Sequence, residues 1–190
     1  MLRRIFSSCI LAGCFASVSI VATAQQVVHA LTGTVSSIDG LSKTVTVYTD
    51  SGSQSDFKDL TNSKTSMVLD KKIRAESTSA DAFKKVGTYV IVFYFGDSDA
   101  RTAVALRNLG TGPFTSATGT VVKFESKAHS IVVKDNSGQV QTFKITSDTV
   151  AETFAGVVDG FKFQLQKGDQ VRVVGATADG GPTALFVNQM

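Results

Sequence analysis

The amino-acid sequence predicts an all-β protein, with a minor helix, that consists of two tandem five-stranded OB-like barrels related by an internal repeat. Three observations predict this fold: one opening motif occurs twice, apolar residues alternate with a period of two, and glycine-containing turns separate the short alternating runs. Such alternation is typical of strands with one buried face. Closing five short strands into a barrel removes the exposed edges that otherwise pair with other chains.

The first 24 residues have the layout of a secretory signal peptide. Arg3 and Arg4 precede an apolar run that ends in Ala22-Thr23-Ala24, a small-x-small cleavage site. Serines dilute the run, which is shorter than the roughly 20 apolar residues of a spanning helix, so cleavage is favoured over a membrane anchor. We expect an exported protein, periplasmic or secreted, that starts at Gln25 and has no membrane span after cleavage.

A lipoprotein signal is the alternative to this cleavage. Leu11-Ala12-Gly13-Cys14 resembles a lipobox, in which the cysteine is lipidated and becomes the first mature residue. The residues after Cys14 are still apolar, whereas a polar tether is typical of lipoproteins, so cleavage after Ala24 is favoured. That cleavage removes both Cys9 and Cys14, and it excludes disulfides and thiolate metal sites from the mature chain.

The predicted cleavage also changes the charge of the protein. The chain has 19 basic and 16 acidic residues, and its net charge is +3. The signal segment holds two of the basic residues and none of the acidic ones, which leaves a mature charge of +1. A charge this close to zero does not support nucleic-acid binding, so we expect no nucleic-acid partner.

An internal repeat divides the mature chain, which has about 165 residues and is long enough for two small domains. LTGTV at Leu31–Val35 returns as ATGTV at Ala117–Val121, and the same offset of 86 residues places Phe57 on Phe143. Further along, the offset becomes 81, because the first copy has a longer polar segment. We predict a signal peptide over 1–24, a first barrel over 25–109, a linker over 110–117 and a second barrel over 118–190.

Each copy contains five strand-like runs, which we expect to form a meander, and the first run opens with the repeated TGTV motif. The second and third runs meet at Asp50-Ser51-Gly52 or Asn136-Ser137-Gly138, where glycine supplies the positive φ of a tight hairpin. We expect a small helical or irregular element between the third and fourth runs of each copy. In the first copy this segment is polar, and its best helical candidate is Ala80–Lys85, with Ser79 as N-cap and Gly87 after its end. The second to fifth runs read KTVTVYT, SDFKDL, GTYVIVFYF and RTAVALRNL in the first copy, and HSIVVKD, QTFKIT, GDQVRVVGA and PTALFVNQM in the second.

The fourth strand of the first copy is apolar on both faces. In the second copy Arg172 interrupts the equivalent run, so the register directs Val90 and Val92 into the first barrel. The intervening side chains then form an outer stripe of large apolar residues, which is costly to leave in water. We expect this stripe to pack against the second barrel or the polar segment, with a surface for an external partner as the alternative. Its members are Tyr89, Ile91, Phe93 and Phe95.

A candidate ligand face lies on the second and third strands, where OB barrels often bind extended polymers through aromatic platforms and basic flanks. Tyr48, Lys58 and Lys134 form this face, without a row of stacking aromatic residues. Phe57 and Phe143 repeat, as core positions of a duplicated fold would, and we assign them to the core.

No catalytic or metal-binding constellation is visible in the sequence. His129 aligns with Lys43 across the repeat, so the fold does not require an imidazole there. The acidic turn Asp97-Ser98-Asp99 has fewer than the six or so oxygen ligands that calcium takes. The chain is similar in export and barrel size to periplasmic copper-carrying OB proteins, but it has no tryptophan and only three methionines. We expect no catalytic residue, no metal and no cofactor.

The order of these motifs resembles that of a known family. TGTV, TVTV, a DSG turn, GTYVIV and AVAL follow one another, and the second copy has a related order. This pattern is similar to the exported bacterial domain-of-unknown-function family 5666, whose members carry small OB-like barrels, often in tandem. The resemblance covers nearly the whole mature chain, and it implies export and small barrels with no assigned reaction.

The sequence therefore predicts a noncatalytic, exported binding or structural module of the bacterial cell envelope or exterior. We expect its partner to be an envelope protein or an extracytoplasmic glycan, an expectation that depends on the fold class. The alternative is a small-ligand or metal carrier with a site between the two barrels.

Overall fold

The computed structural model describes residues 27–59, 85–97, 100–178 and 180–190, and the secondary structure of this part is all β. No described helix is long and apolar enough to cross a membrane. The predicted signal peptide and most of the predicted helical segment lie outside the described residues. The strands are β1 (His29–Asp39), β2 (Thr44–Thr49), β3 (Gln54–Asp59), β4 (Tyr89–Phe95), β5 (Thr102–Gly110), β6 (Phe114–Glu125), β7 (Ser130–Asp135), β8 (Val140–Lys144), β9 (Val150–Thr153), β10 (Gly156–Asp159), β11 (Gln170–Ala178) and β12 (Gly181–Gln189).

The first five strands close into a barrel in the order β1-β2-β3-β5-β4, with β4 pairing back onto β1. Neighbouring strands are antiparallel except β3 and β5, which pair in parallel where Lys58 lies opposite Thr102. The expectation of a simple meander is therefore wrong, because β5 lies between β3 and β4. This arrangement pairs both edges of the sheet, so the first barrel has no open edge.

The second copy repeats this strand order and adds a hairpin. β6-β7-β8-β12-β11 corresponds to the first barrel, including a parallel contact between β8 and β12 where Lys144 lies opposite Thr183. The hairpin β9–β10 extends the sheet to seven strands at the point where a helical or irregular element is predicted, and β9 runs parallel to β12. The predicted linker over 110–117 is also mostly strand, because β5 ends at Gly110 and β6 begins at Phe114.

The two copies share their local irregularities as well as their strands. A β-bulge follows Val35 in β1 and Val121 in β6, positions related by the sequence offset. Lys43 and His129, which precede β2 and β7, both have positive φ, at 53° and 50°. Left-handed backbone is uncommon for residues with a Cβ, so its recurrence shows that both turns have the same geometry. His129 is thus a turn residue, and its ring centroid lies 3.9 Å from that of Phe161.

Each barrel has its own apolar core. Phe57 is 1% exposed and packs with Val47 and Val90 in the first barrel. Phe143 is fully buried and packs with Val133, among others, in the second. These cores form because the alternating strands direct every second side chain inward.

A third buried cluster joins the two barrels, and we call it the interbarrel cluster. Ile91, Phe93 and Phe95 of β4 belong to it together with Val174 and Phe186 of the second sheet. Ile91 and Phe93 are fully buried. Ile91, Phe93 and Phe95 of the outer stripe therefore pack against the second sheet, whereas Tyr89 is only partly buried.

The hairpin β9–β10 connects the second sheet to β1 of the first barrel. The carboxylate of Glu152 lies 2.6 Å from His29 Nδ1 and accepts a 2.7 Å hydrogen bond from the backbone N–H of Ala30. The backbone N–H of Val157 donates to the carbonyl of Val28 at 2.9 Å. Burial raises the pKa of the Glu152 carboxyl, while its bonds with His29 and Ala30 oppose that rise. The inserted hairpin thus holds the two barrels against each other.

Candidate ligand site between the barrels

Two cavities of about 120 and 350 Å³ lie between the barrels and share Asp50 and Arg172 in their walls. We call them together the interbarrel groove. The first barrel contributes residues of β1, β4 and the β2–β3 hairpin, together with Arg101 immediately before β5, and the second contributes residues of β6, β11 and β12. Its hydrogen-bonding and charged lining includes Thr32, Asp50, Tyr89, Arg101, Thr118 and Arg172.

The repeated TGTV motif supplies one threonine to each side of the groove. Thr32 Oγ1 donates a 2.5 Å hydrogen bond to Asp50 Oδ2, and the Tyr89 hydroxyl donates to the same oxygen. On the other side, Arg172 Nε donates to Thr118 Oγ1 at 3.3 Å. Burial raises the pKa of Tyr89, and the bond with Asp50 adds to that rise. Tyr89 is therefore a neutral hydrogen-bond donor, and Asp50 is held by two hydroxyl groups.

Arg101 is the arginine that the first barrel contributes to the groove. Its Nη1 donates to Ser55 Oγ at 2.6 Å, and its guanidinium carbon lies 5.2 Å from the Tyr94 ring centroid and 6.0 Å from that of Phe57. These distances are in the range of cation–π contacts, so the guanidinium is fixed from two sides. Its Nε is buried and has no hydrogen-bond partner among the described residues.

Tyr89 and Phe114 form an aromatic pair in the wall of the larger cavity. Their ring centroids are 4.7 Å apart, and the ring planes are inclined by 34°. Binding sites typically combine an apolar surface with a few well-placed polar groups. The groove has both features, because this pair lies beside the hydroxyl groups and charges described above.

The predicted ligand face does not line the groove. Tyr48 is 52% exposed, and Lys58 and Lys134 are also exposed. Tyr48 pairs with Gln54 at one end of the β2–β3 ladder, whereas Lys58 lies at the other end, opposite Thr44. Lys134 occupies the position of Tyr48 in the other barrel. The structure therefore does not bring these three side chains into one site.

The described residues contain no group of three or more His, Cys, Asp or Glu side chains that could hold a metal ion. His29 is engaged with Glu152, and His129 lies against Phe161. Part of the acidic turn Asp97-Ser98-Asp99 lies outside the described residues.

The groove was not predictable from spacing in the sequence. The sequence around Asp50 indicates a turn, and the sequence around Arg101 indicates the start of a strand. Arg172 is noticeable in the sequence, because it stands at the position where the other copy has the apolar Ile91. That break in the repeat identifies an unusual position, but the groove itself exists only where two barrels meet.

Comparison with known proteins does not assign a family to this chain. No protein-family model matches it, and no match is found among curated proteins.

Proposed function

We propose that this protein is a noncatalytic binding module of the bacterial cell envelope or exterior, and that the interbarrel groove holds its ligand. An extracytoplasmic glycan fits the groove better than an envelope protein does. The layout of the first 24 residues supports export, and the motif order supports membership of the exported tandem-barrel family that the sequence resembles. OB-like barrels are also known to accommodate oligosaccharides.

The lining of the groove is the observation that carries this proposal. Hydroxyl groups of Thr32 and Thr118 and the carboxylate of Asp50 lie in the same groove as the Tyr89–Phe114 ring pair. A sugar presents hydroxyl groups that donate and accept hydrogen bonds, and C–H faces that pack on aromatic rings. This groove offers partners for both.

A protein partner would need a different surface. Stable protein interfaces have an apolar, fully buried core surrounded by a polar rim. The outer stripe of β4 has that apolar composition, but its Phe93 is fully buried against the second sheet. This burial favours the glycan over the protein partner.

A small-molecule carrier is the second candidate, and the smaller cavity favours it. That cavity has a volume of about 120 Å³, and its walls include Ser51, Ser53 and Ser55 besides the two arginines. A carrier would reach its full affinity with a single small molecule, whereas the affinity of a glycan module would rise with the length of the sugar chain. The length dependence of affinity therefore separates the two candidates.

The experiment is isothermal titration of the purified protein with envelope-type oligosaccharides of one to six sugars. A module is expected to bind with affinity that rises over the first few sugars. Thr118→Val removes one groove hydroxyl from an exposed position with little change of shape, and it should weaken binding about fivefold, the equivalent of one hydrogen bond.

Tyr48→Ala is the matched control, because Tyr48 is exposed and lies outside the groove. It should leave the affinity unchanged. The opposite pattern, loss with Tyr48→Ala and none with Thr118→Val, would assign the ligand to the strand face and contradict the groove. Affinity that is complete with a single sugar would favour the carrier.

A further inference from the structure

We infer that the interbarrel groove contains a subsite for an anionic group, formed by Arg101 and Arg172, and that its ligand is therefore acidic. The group would be a carboxylate, a sulfate or a phosphate. This inference depends on the groove being the ligand site, as proposed above, and it adds the charge of the ligand.

The two arginines reach the same cavity from different barrels. Arg101 immediately precedes β5 of the first barrel, Arg172 lies on β11 of the second, and both line the smaller cavity. Like charges that share a small cavity repel each other unless an opposite charge lies between them. The guanidinium group matches the geometry of carboxylate and phosphate oxygens through paired N–H donors. An oxyanion in this cavity would thus contact both barrels.

The described residues compensate the positive charge of the groove only in part. Asp50 is the one acidic residue among the lining of the two cavities, against two arginines. Its Oδ2 already accepts hydrogen bonds from Thr32 and Tyr89. Neither arginine forms an ion pair with a carboxylate of the described residues. The groove therefore carries an excess positive charge that attracts anions.

Arg101 is positioned before any ligand arrives. Its bond to Ser55 and its contacts with Tyr94 and Phe57 hold the guanidinium in place, so little side-chain entropy is lost on binding. A guanidinium has five N–H donors, of which one is used by Ser55. The buried Nε without a partner leaves this cation poorly solvated, and a neighbouring anion would offset that cost.

Both arginines depart from the repeat, which shows that the barrel fold does not require them. At the offset of 81 residues, Arg172 stands where the first copy has Ile91, and Arg101 stands where the second copy has Pro182. In each case the other copy forms its barrel with an uncharged residue at the equivalent position. The two charges are therefore additions to the fold, and their shared location at a cavity indicates ligand binding.

The test is isothermal titration of the purified protein at low ionic strength with galacturonate, galactose, inorganic sulfate and inorganic phosphate. Galacturonate should bind at least tenfold more tightly than galactose, which has the same ring without the carboxylate. Its affinity should fall as salt is added, since screening weakens the attraction.

The inorganic anions distinguish the source of the group. Binding of sulfate or phosphate as tight as that of galacturonate supports a subsite for free oxyanions, and tighter galacturonate binding supports an acidic sugar.

Arg172→Gln is the decisive variant, because no cation–π contact involves Arg172 among the described residues, whereas Arg101 lies over the Phe57 and Tyr94 rings. It should weaken binding of the preferred anion at least tenfold, and any loss of galactose binding should be much smaller, because galactose has no carboxylate to pair with the guanidinium. Lys134→Gln removes the same charge outside the groove and should change affinity less than twofold. Arg101→Gln should act like Arg172→Gln, with thermal denaturation to verify that it folds.

Three results would overturn the subsite: no saturable binding of any anionic probe, equal affinity for galacturonate and galactose, or an Arg172→Gln variant with unchanged affinity. The proposed function fails on a separate observation, which is neutral oligosaccharide binding that is insensitive to Thr118→Val. The two failures are therefore distinguishable.

Discussion

The glycine of the repeated motif is required by the close approach of the neighbouring strand. A Cβ on Gly33 would lie 2.3 Å from the carbonyl oxygen of Tyr48, and one on Gly119 would lie 2.0 Å from that of Lys134. Both contacts are with backbone atoms of an adjacent strand, which cannot move without disturbing the β1–β2 or β6–β7 ladder. This steric need explains why the glycine of TGTV occurs in each barrel.

Gly119→Ala is therefore expected to lower the free energy of unfolding by about 2–3 kcal/mol, the usual cost of inserting a methyl group where no space exists. Gly40→Ala is the matched control, because a Cβ at Gly40 would meet nothing within 4 Å. The control should change stability by less than about 0.5 kcal/mol. Urea denaturation of both variants measures the difference, and equal stabilities would contradict the steric explanation.

At the scale of the single element, the β7–β8 hairpin is held by the carboxylate of Asp135. Asp135 Oδ1 accepts hydrogen bonds from the Ser137 hydroxyl at 2.6 Å and from the backbone N–H groups of Ser137 and Gln139, each at 2.9 Å. The Ser137 hydroxyl is the main cause of a lowered pKa of Asp135, and the backbone N–H groups add to it. The turn thus stabilises the ionised carboxylate.

The stability contributed by Asp135 should depend on pH. Because the pKa is lower in the folded state than the ordinary 3.8, this contribution is present above pH 3.8 and is lost as pH falls through the lowered pKa. Asp135→Asn cannot ionise, so the stability difference between wild type and variant should shrink as pH falls. Urea denaturation over a pH series measures it, and a difference that stays constant would disprove the role of the charge.

At the scale of the whole molecule, the interbarrel cluster and the β9–β10 hairpin join two repeats into one structure. The cluster combines Phe93 of the first barrel with Val174 and Phe186 of the second. Glu152 of the hairpin adds polar contacts with His29 and Ala30. The groove is formed between the same two barrels, so its geometry depends on this packing.

Phe93→Ala should lower the free energy of unfolding by about 3–5 kcal/mol, because it removes a fully buried ring and leaves a cavity. Val140→Ala, at a position 58% exposed, is the control and should change stability by less than about 0.5 kcal/mol. Thermal and urea denaturation measure both effects. Unchanged stability of Phe93→Ala, combined with altered self-association, would show that the β4 stripe is an intermolecular surface in solution.

The local strand pattern was largely predictable from sequence, whereas strand order and insertions were not. The alternation in KTVTVYT and HSIVVKD predicts β2 and β7, because side-chain period is a local property. The position of β5 between β3 and β4 depends on a pairing between residues distant in the chain, such as Lys58 and Thr102. β9 and β10 have four residues each, too few to show a period.

The candidate site was less predictable than the fold for the same reason. The predicted ligand residues Tyr48 and Lys134 occupy equivalent positions on separate barrels, so the repeat by itself cannot bring them together. Asp50 and Arg172 come from different copies and line one groove. Nothing in the spacing of these residues shows that they are neighbours.

The sequence by itself determined the two repeated sets of short strands and the TGTV motif that opens each set, because strand alternation is a local property of the chain. Only the tertiary structure decided that the apolar β4 stripe is an internal face and that Asp50, Arg101 and Arg172 line one groove. Those outcomes depend on how two barrels pack against each other, and that packing is a nonlocal balance of burial and shape.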